Sequence, residues 1–443
     1  MMKIIRSDEF DKYWKNEIRK SEDPATEKTV RGIIAEVRSK RDAAVRKFAA
    51  KFDKSSPQQL EVPYEKAQSA FEELRVGNPP LVQALELAAK NIMSFSKKQM
   101  EQFSDFEYQI SEGIVTGQRV IPVTRAGVYI PAGRFPLFSS VLMNVIPALC
   151  AGTEEVLLSS PPSETGLPDS RILAAAVIAA NAAGITDSGR VRIFSVGGAQ
   201  AVAALALGTE TIPRADIITG PGNKYVAEAK RILFGDVGID FIAGPSDILV
   251  ISDGAEGGEQ YAEIVAADML AQAEHDTEAR VRALVSNRGY ADKINAVLER
   301  RILALPTKKI VRASLNSGGL IIVYKTKEEA VRIANTIAPE HLELQITGAD
   351  SWIPLLKNFG SLFIGSLSSE VLGDYSSGLN HTLPTGTSSR YSGGLSVRHF
   401  LKTVTVLTCA PGEGFESARN AAEIIGRAEG LEGHAQSAAI RKC

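Results

Sequence analysis

From Ala126 onward the chain alternates short apolar runs with longer helical ones, and that rhythm leaves few folds open. Gly127–Pro131, Glu155–Pro162, Val191–Val196 and Ala215–Gly220 read as buried strands, with alanine-rich helical runs such as Arg171–Ala183 between them. Strands joined by helices must lie parallel, with both faces of their sheet covered. The alternation restarts after Pro245. Asp247–Ser252, Val281–Ser286, Gly319–Tyr324 and Ser361–Gly365 are the next strands, and helices are expected at 259–273, 289–301, 327–337 and 349–358. An α/β fold with two parallel-sheet modules follows.

The first quarter is helical instead. Val30, Ile33, Ile34, Val37, Val45, Phe48 and Phe52 recur at helical spacing between lysines and arginines. A second such run spans about 63–100, broken at Pro79 and Pro80. Beyond about residue 400 the chain reads as a tail: a short strand Val404–Thr408, a helix over 413–429 and a last segment carrying His434. With polar residues and little core of its own, it is expected to dock on its own chain or on a partner. The expected division is 1–25 as an N-terminal segment, 26–125 with 247–395 as one α/β domain, 126–246 as a second, and 396–443 as the tail.

Composition excludes several functions. The 443 residues are 44 % apolar and 23 % charged, as in ordinary globular chains. A net charge of −2 gives no footprint for nucleic acid or an anionic membrane. No apolar stretch reaches 18 residues, and acidic residues stand where a signal peptide needs its apolar core, so a cytoplasmic enzyme is expected. Cys150, Cys409 and Cys443 form no framework, and Cys150 lies in an apolar helical run.

Two glycine-rich turns follow strands. Val196-Gly-Gly-Ala-Gln200 opens a helix of small residues, and Thr219-Gly-Pro-Gly-Asn223 does the same after the next strand. Each is a tight turn first and a nucleotide loop second, since the usual GxGxxG pattern is missing. Gln200 and Asn223 would sit at carboxyl ends of strands, where open α/β sheets bind ligands.

The five histidines are 275, 341, 381, 399 and 434, and all but His399 stand in polar constellations. Gln272 and His275 are three apart on an expected helix, so both can reach one ion, although an exposed polar stripe reads the same way. Glu340-His341 joins a helix to a strand, and both side chains reach one pocket only if the backbone bends there. A carboxylate to activate water beside an imidazole that titrates near neutral pH is what general base chemistry needs. Asp374 lies in a glycine-punctuated segment that reads as a loop and leads to His381.

Taken in order, Val196-Gly-Gly-Ala-Gln-Ala, Gly220-Pro-Gly-Asn, Ala243-Gly-Pro-Ser246, Gln272-Ala-Glu-His, Ala338-Pro-Glu-His-Leu-Glu-Leu, Gly373-Asp-Tyr-Ser-Ser-Gly-Leu-Asn-His-Thr-Leu-Pro-Thr and Glu429-Gly-Leu-Glu-Gly-His resemble the histidinol dehydrogenase family from about residue 25 to 440. The resemblance implies two incomplete Rossmann-like modules and a homodimer whose C-terminal tails exchange. It implies NAD and one zinc ion per subunit as cofactors, with Gln272, His275, Asp374 and His434 as metal ligands. Glu340 and His341 become the catalytic pair. Ser246, Gln272, His275, His341, Asp374, Glu429 and His434 become contacts for the substrate L-histidinol, and Tyr129, Gln200 and Asn223 contacts for NAD. The implied reaction is a four-electron oxidation to L-histidine through L-histidinal.

Two departures stand out. Ala132-Gly-Arg134-Phe135 differs from the family's usual loop beside Tyr129, and Ser252–Gln260 is long, which predicts a surface loop. Two rival readings use the same residues: oxidation of a different alcohol by a relative that keeps the zinc site, and a zinc hydrolase in which Glu340 activates water without NAD.

Overall fold

The computed structural model describes residues 2–17, 23–53, 55, 57, 59–133, 135–185, 189–242, 244–254 and 259–442. Arg134, residues 255–258 of the expected surface loop, and Cys443 lie outside these. The chain opens with β1 (Lys3–Arg6), α1 (Phe10–Glu17), α2 (Pro24–Phe52), β2 (Glu61–Val62), α3 (Tyr64–Gly77) and α4 (Pro79–Met100). A hairpin, β3 (Phe106–Ser111) and β4 (Ile114–Pro122), precedes β5 (Arg125–Tyr129), α5 (Ser139–Cys150), β6 (Glu155–Ser160), α6 (Ser170–Ala182), β7 (Val191–Ser195), α7 (Gly198–Leu207), β8 (Ile217–Thr219), α8 (Lys224–Leu233) and β9 (Gly238–Ile239). The alternation restarts with β10 (Asp247–Ser252), α9 (Glu259–Ala273), β11 (Arg280–Val285), α10 (Arg288–Ile302), α11 (Lys308–Gly318), β12 (Leu320–Val323), α12 (Lys327–Ile337), β13 (His341–Gln345), β14 (Ser361–Ile364) and α13 (Glu370–Tyr375). The end is β15 (Leu401–Cys409), α14 (Glu413–Ala428) and α15 (Glu432–Ala439).

Two six-stranded sheets share one plan. The first has the order β2-β7-β6-β5-β8-β9 and the second β1-β12-β11-β10-β13-β14. Within each, the third, second, first, fourth and fifth strands of the module lie side by side, so the order reverses between the first and fourth, which is the switch point of a doubly wound sheet. All pairings of the second sheet are parallel. In the first, only the edge pair β2 and β7 is antiparallel. Each sheet carries apolar clusters on its two faces, which is why strands such as Asp247–Ser252 are buried along their whole length.

The N-terminal helices pack on the first sheet, not with residues 247–395 as the sequence reading had it: α2 lies on α7 and α8, α3 on α6, and α4 on α5 and α6. The apolar stripe Val30, Ile33, Ile34, Val37, Val45 and Phe48 joins the cluster of α7 and α8. A kink at Arg41 (φ 50°) lets α2 follow that surface, and the Arg41 guanidinium donates to the carbonyls of Leu207 (3.1 Å) and Gly208 (2.6 Å) at the end of α7. The N-terminal segment goes elsewhere, its strand β1 pairing with β12 at the edge of the second sheet.

Three further differences have local causes. The helix expected over 349–358 is two short 3-10 turns, Ala349–Ser351 and Ile353–Leu355, because Pro354 cannot continue an α-helix. β15 runs from Leu401 to Cys409, longer than expected, because it pairs along the whole of β4. The resulting antiparallel sheet β15-β4-β3 is largely open to solvent on both faces, so its strands carry no alternation to read.

The segment from Glu370 to Phe400 ties the modules together. Asn380 donates to the Met143 carbonyl (2.6 Å) and Asn144 to the Thr382 hydroxyl (3.2 Å), both on α5, while Asn91 on α4 donates to the Ser376 carbonyl (2.8 Å).

Candidate active site

At the amino ends of β10 and β13, two buried acidic residues grip each other. The Glu340 N–H donates to Asp247 Oδ1 (2.6 Å) and the Asp247 N–H to Glu340 Oε2 (2.9 Å). Arg282 on β11, also buried, sets its guanidinium 3.2 Å from Asp247 Oδ2 and over the Trp14 ring. Ala338 supplies the bend that Glu340-His341 requires: it ends α12 in the left-handed region (φ 51°, ψ 61°), and Ser389 donates to its carbonyl (2.7 Å). Pro339 then directs the chain into β13, whose first residue is His341.

Around His341 the other candidates converge. Its Nε2 is 3.3 Å from Asp374 Oδ1, an ion-pair distance, although neither atom completes a well-aligned hydrogen bond. Its Nδ1 is 3.9 Å from Glu370 Oε2 and 4.0 Å from Glu340 Oε2. Gln272, fully buried in the last turn of α9, donates to both Glu370 oxygens (3.0 and 3.3 Å) and accepts from the Asp247 N–H (3.2 Å). His275 lies past the end of that helix in a turn, not on it as the spacing suggested, with Nε2 3.9 Å from Asp374 Oδ2. Ser246, half-buried, immediately precedes Asp247.

Asp374 is not on a loop. It belongs to α13, whose first N–H, on Glu370, donates to the buried carboxylate of Glu343 (2.9 Å), a cap supplied from another strand and therefore invisible locally. The preceding Ser369 donates to Asp268 (2.8 Å). His381 stands beside this helix, its Nδ1 2.8 Å from the Asp374 carbonyl and its Nε2 2.8 Å from Ser140 on α5. Asp247, Glu370, Arg282 and Ser140 were missed from sequence, since each acquires its partner only across strands. His399 has a local role, its Nδ1 meeting the Ser396 backbone.

A second group stands at the carboxyl edge of the first sheet. Tyr129 ends β5, buried, and its hydroxyl accepts from the Gly198 N–H (3.1 Å) at the start of α7. Gln200 in the first turn of α7 is buried, with its Nε2 unpaired. Asn223 caps α8 by accepting from the N–H groups of Tyr225 (3.0 Å) and Val226 (3.2 Å). Gly220 must be glycine: its φ is 109°, and a Cβ would sit 2.1 Å from the Tyr129 carbonyl oxygen. Glu429 and His434 join neither group and stand exposed on the tail, at the end of α14 and in α15.

Among the described residues no set of three or more His, Cys, Asp and Glu is arranged to enclose a metal ion. Two of the four candidate ligands, His275 and Asp374, nevertheless approach each other, and a third, the Gln272 amide, stands against Glu370 and the Asp247 N–H. Gln272, His275 and Asp374 offer an O, N, O donor set from one chain, the count a catalytic zinc site uses, and Asp374 Oδ1 is buried without a hydrogen bond, as an atom awaiting a cation would be. The residues present fit zinc.

Burial dominates the titration of this cluster. It pushes Glu340 up to about 8, and Glu343, beside Asp268, also to about 8. Burial alone would lower His341, but Asp374, Glu340 and Glu370 outweigh it and hold the imidazole well above its usual value. Asp374 is held low against burial by His341, His381 and His275. Unfolded glutamates lose their protons near 4.5, whereas folded Glu340 and Glu343 keep theirs to about 8, so in that window the native state binds more protons and stability falls as pH rises. Thermal melts of metal-free protein should show Tm dropping from pH 5 to pH 8, with a shallower slope in Glu343→Gln; equal slopes would mean that Glu343 is ionised in the fold.

The histidinol dehydrogenase family profile matches residues 16–442. Histidinol dehydrogenase of Aquifex aeolicus (strain VF5) is 44 % identical over 418 residues, 94 % of this chain and 92 % of that protein. That of Acinetobacter baylyi (strain ATCC 33305 / BD413 / ADP1) is 41 % identical over 422 residues, 95 % of this chain and 94 % of the relative. The crystal structure of histidinol dehydrogenase from Elizabethkingia anophelis matches with a TM-score of 0.87 at 34 % identity, covering 99 % of this chain and 98 % of that one. The span matched by the family profile includes every strand of both six-stranded sheets except the edge strand β1, together with the Glu340–His341 centre and the tail, and the chain belongs to the histidinol dehydrogenase family.

Proposed function

We propose that the chain oxidises L-histidinol to L-histidine in two NAD-dependent steps at one centre, through L-histidinal. The observation that carries this reading is the convergence of Gln272, His275, Glu340, His341 and Asp374 at the amino ends of β10 and β13, in a chain of this family. Family membership also sets aside the zinc hydrolase alternative.

Gln272, His275 and Asp374 would hold zinc, with His434 of the partner subunit as the fourth ligand. Bound there, zinc supplies positive charge that orients the substrate's imidazole and amino nitrogens and offsets the pull of Asp374 on His341. His341 then has a free ring nitrogen to take the hydroxyl proton as the hydride of the carbinol carbon leaves for NAD, giving the aldehyde and NADH. Glu340, as carboxylate, takes a proton from a water that adds to the aldehyde carbon, while protonated His341 returns its proton to the carbonyl oxygen, which gives the neutral hydrate and frees the imidazole. From the resulting hydrate a second hydride passes to a second NAD, His341 takes the hydroxyl proton again, and the carboxylate forms. One water enters, and two hydrides and three protons leave. Ser246 and Glu429 of the partner subunit complete the substrate contacts, and Tyr129, Gln200 and Asn223 face NAD.

The tail favours a homodimer with exchanged C-terminal segments. Glu429 and His434 are exposed far along an arm that leaves Ile424, Ile425, Leu431 and Ile440 open to solvent, together with Phe106, Tyr108 and Leu407 of its sheet. A second chain would cover such surface and gain two polar site residues from it.

Two outcomes are expected. Glu340→Gln should slow oxidation of L-histidinal by about 10²–10⁴-fold, the usual scale of a lost general base, and slow oxidation of L-histidinol far less; equal losses in single-turnover assays of the two steps would remove water activation from Glu340. Mixed Asp374→Ala and His434→Ala chains should regain part of the activity that each homodimer lacks. Heterodimers that form without regaining any would return His434 to its own chain's site, or to none.

A further inference from the structure

One acidic residue at the second cluster has no part in the chemistry above. Asp53 follows the last turn of α2 and points its carboxylate into the turn between β7 and α7, where the Gly197 N–H donates to Oδ2 at 3.4 Å. The fit is close: a Cβ on Gly197 would lie 2.7 Å from Asp53 Oδ1 and 2.7 Å from Pro161 Cγ. Beside it the Gln200 amide, buried, leans on Gly198 and faces Asp53 closely enough to favour its ionised form, yet Nε2 completes no hydrogen bond. The turn at the start of a ten-residue helix thus holds a buried amide N–H with nothing to donate to.

A carboxylate here decides what the turn can accept. An anion would meet the Asp53 charge, so the cofactor's pyrophosphate is disfavoured at this point even though a helix begins here. Neutral hydroxyls fit instead: Asp53 accepts from them, and the free Gln200 Nε2 donates to them. The position along the sheet says which part of the dinucleotide arrives. β7 is separated from β5 by β6, so the backbone of this turn lies roughly 10 Å across the sheet from the end of β5, although the Tyr129 side chain reaches back to its Gly198 N–H, and α5, through which the first module reaches His381 and the catalytic centre, follows β5. The nicotinamide must lie near His341, and the far turn is left for the other end.

We propose that Asp53, with Gln200, receives the ribose hydroxyls of the adenosine half of NAD, and that the Asp53 charge makes the enzyme discriminate against the 2′-phosphorylated cofactor. This rests on the proposed use of NAD and adds the residue that sets the choice. Burial raises the Asp53 carboxyl to about 6, against the pull of Gly197 and Gln200, so it is largely ionised at neutral pH.

The test is equilibrium binding of NADH and NADPH to zinc-loaded wild type, Asp53→Asn and Asp53→Ser, followed by fluorescence, together with kcat/KM for NAD and NADP. Asp53→Asn should weaken NADH by about tenfold, the scale of a hydrogen bond to a charged group, and narrow the NAD-to-NADP preference at least as much, chiefly through KM. Asp53→Ser keeps a polar group without charge and should bring NADPH closest to NADH. A preference unchanged within about twofold in both folded variants would overturn the assignment and leave Asp53 as a brace for Gly197. Wild type that binds neither NADH nor NAD would instead overturn the underlying reading of the cofactor.

Discussion

The reciprocal pair between Asp247 and Glu340 holds the rest of the site in place. Each residue gives its N–H to the other's carboxyl across two neighbouring parallel strands, in a place too buried for water to serve either. A carboxyl in that setting is expensive unless it is paired, and Arg282 meets Asp247 from the next strand. The three strands β11, β10 and β13 are thereby fixed at their amino ends, and His341, the next residue after Glu340, has its ring aimed by backbone geometry. Gln272 takes its place through the same Asp247 N–H and through Glu370.

This arrangement reverses the usual place of an α/β site. Ligands in such sheets generally gather at the carboxyl edge beside the switch point, and the Tyr129–Gln200–Asn223 group of the first module does lie there. In the second module the catalytic candidates use the strand pair that flanks the switch point, β10 and β13, but at its amino edge. The link of α5 to the Asp374 segment through Ser140 and His381 brings the first module to that edge. A dinucleotide bound as proposed on one carboxyl edge would therefore present its reactive end to the Glu340–His341 cluster built on the other sheet.

Much of this was legible in the chain. Strands of uninterrupted apolar residues and alanine-rich helices set the two parallel sheets, and β10 falls at Asp247–Ser252 as read. Glu340-His341 asked for a bend if both side chains were to share one pocket, and Ala338 provides it at the cost of a left-handed conformation. What stayed hidden depends on distant partners. Asp374 read as a loop residue because the cap of its short helix is Glu343, and Asp247 gave no signal because its meaning lies in Glu340 and Arg282. The N-terminal helices had a clear apolar stripe, but a stripe does not say which of two similar sheets it will cover. His434 sits exposed in this chain, so the role proposed for it needs a second copy.

The most direct measurement is the number of NADH molecules released per L-histidinol consumed by zinc-loaded protein in excess NAD. Two are expected, with L-histidine as the product, because one centre holding both Glu340 and His341 can pass the aldehyde through hydration to a second hydride transfer. One NADH per substrate, with L-histidinal accumulating, would contradict the role given to Glu340, and none would contradict the assignment of the centre itself.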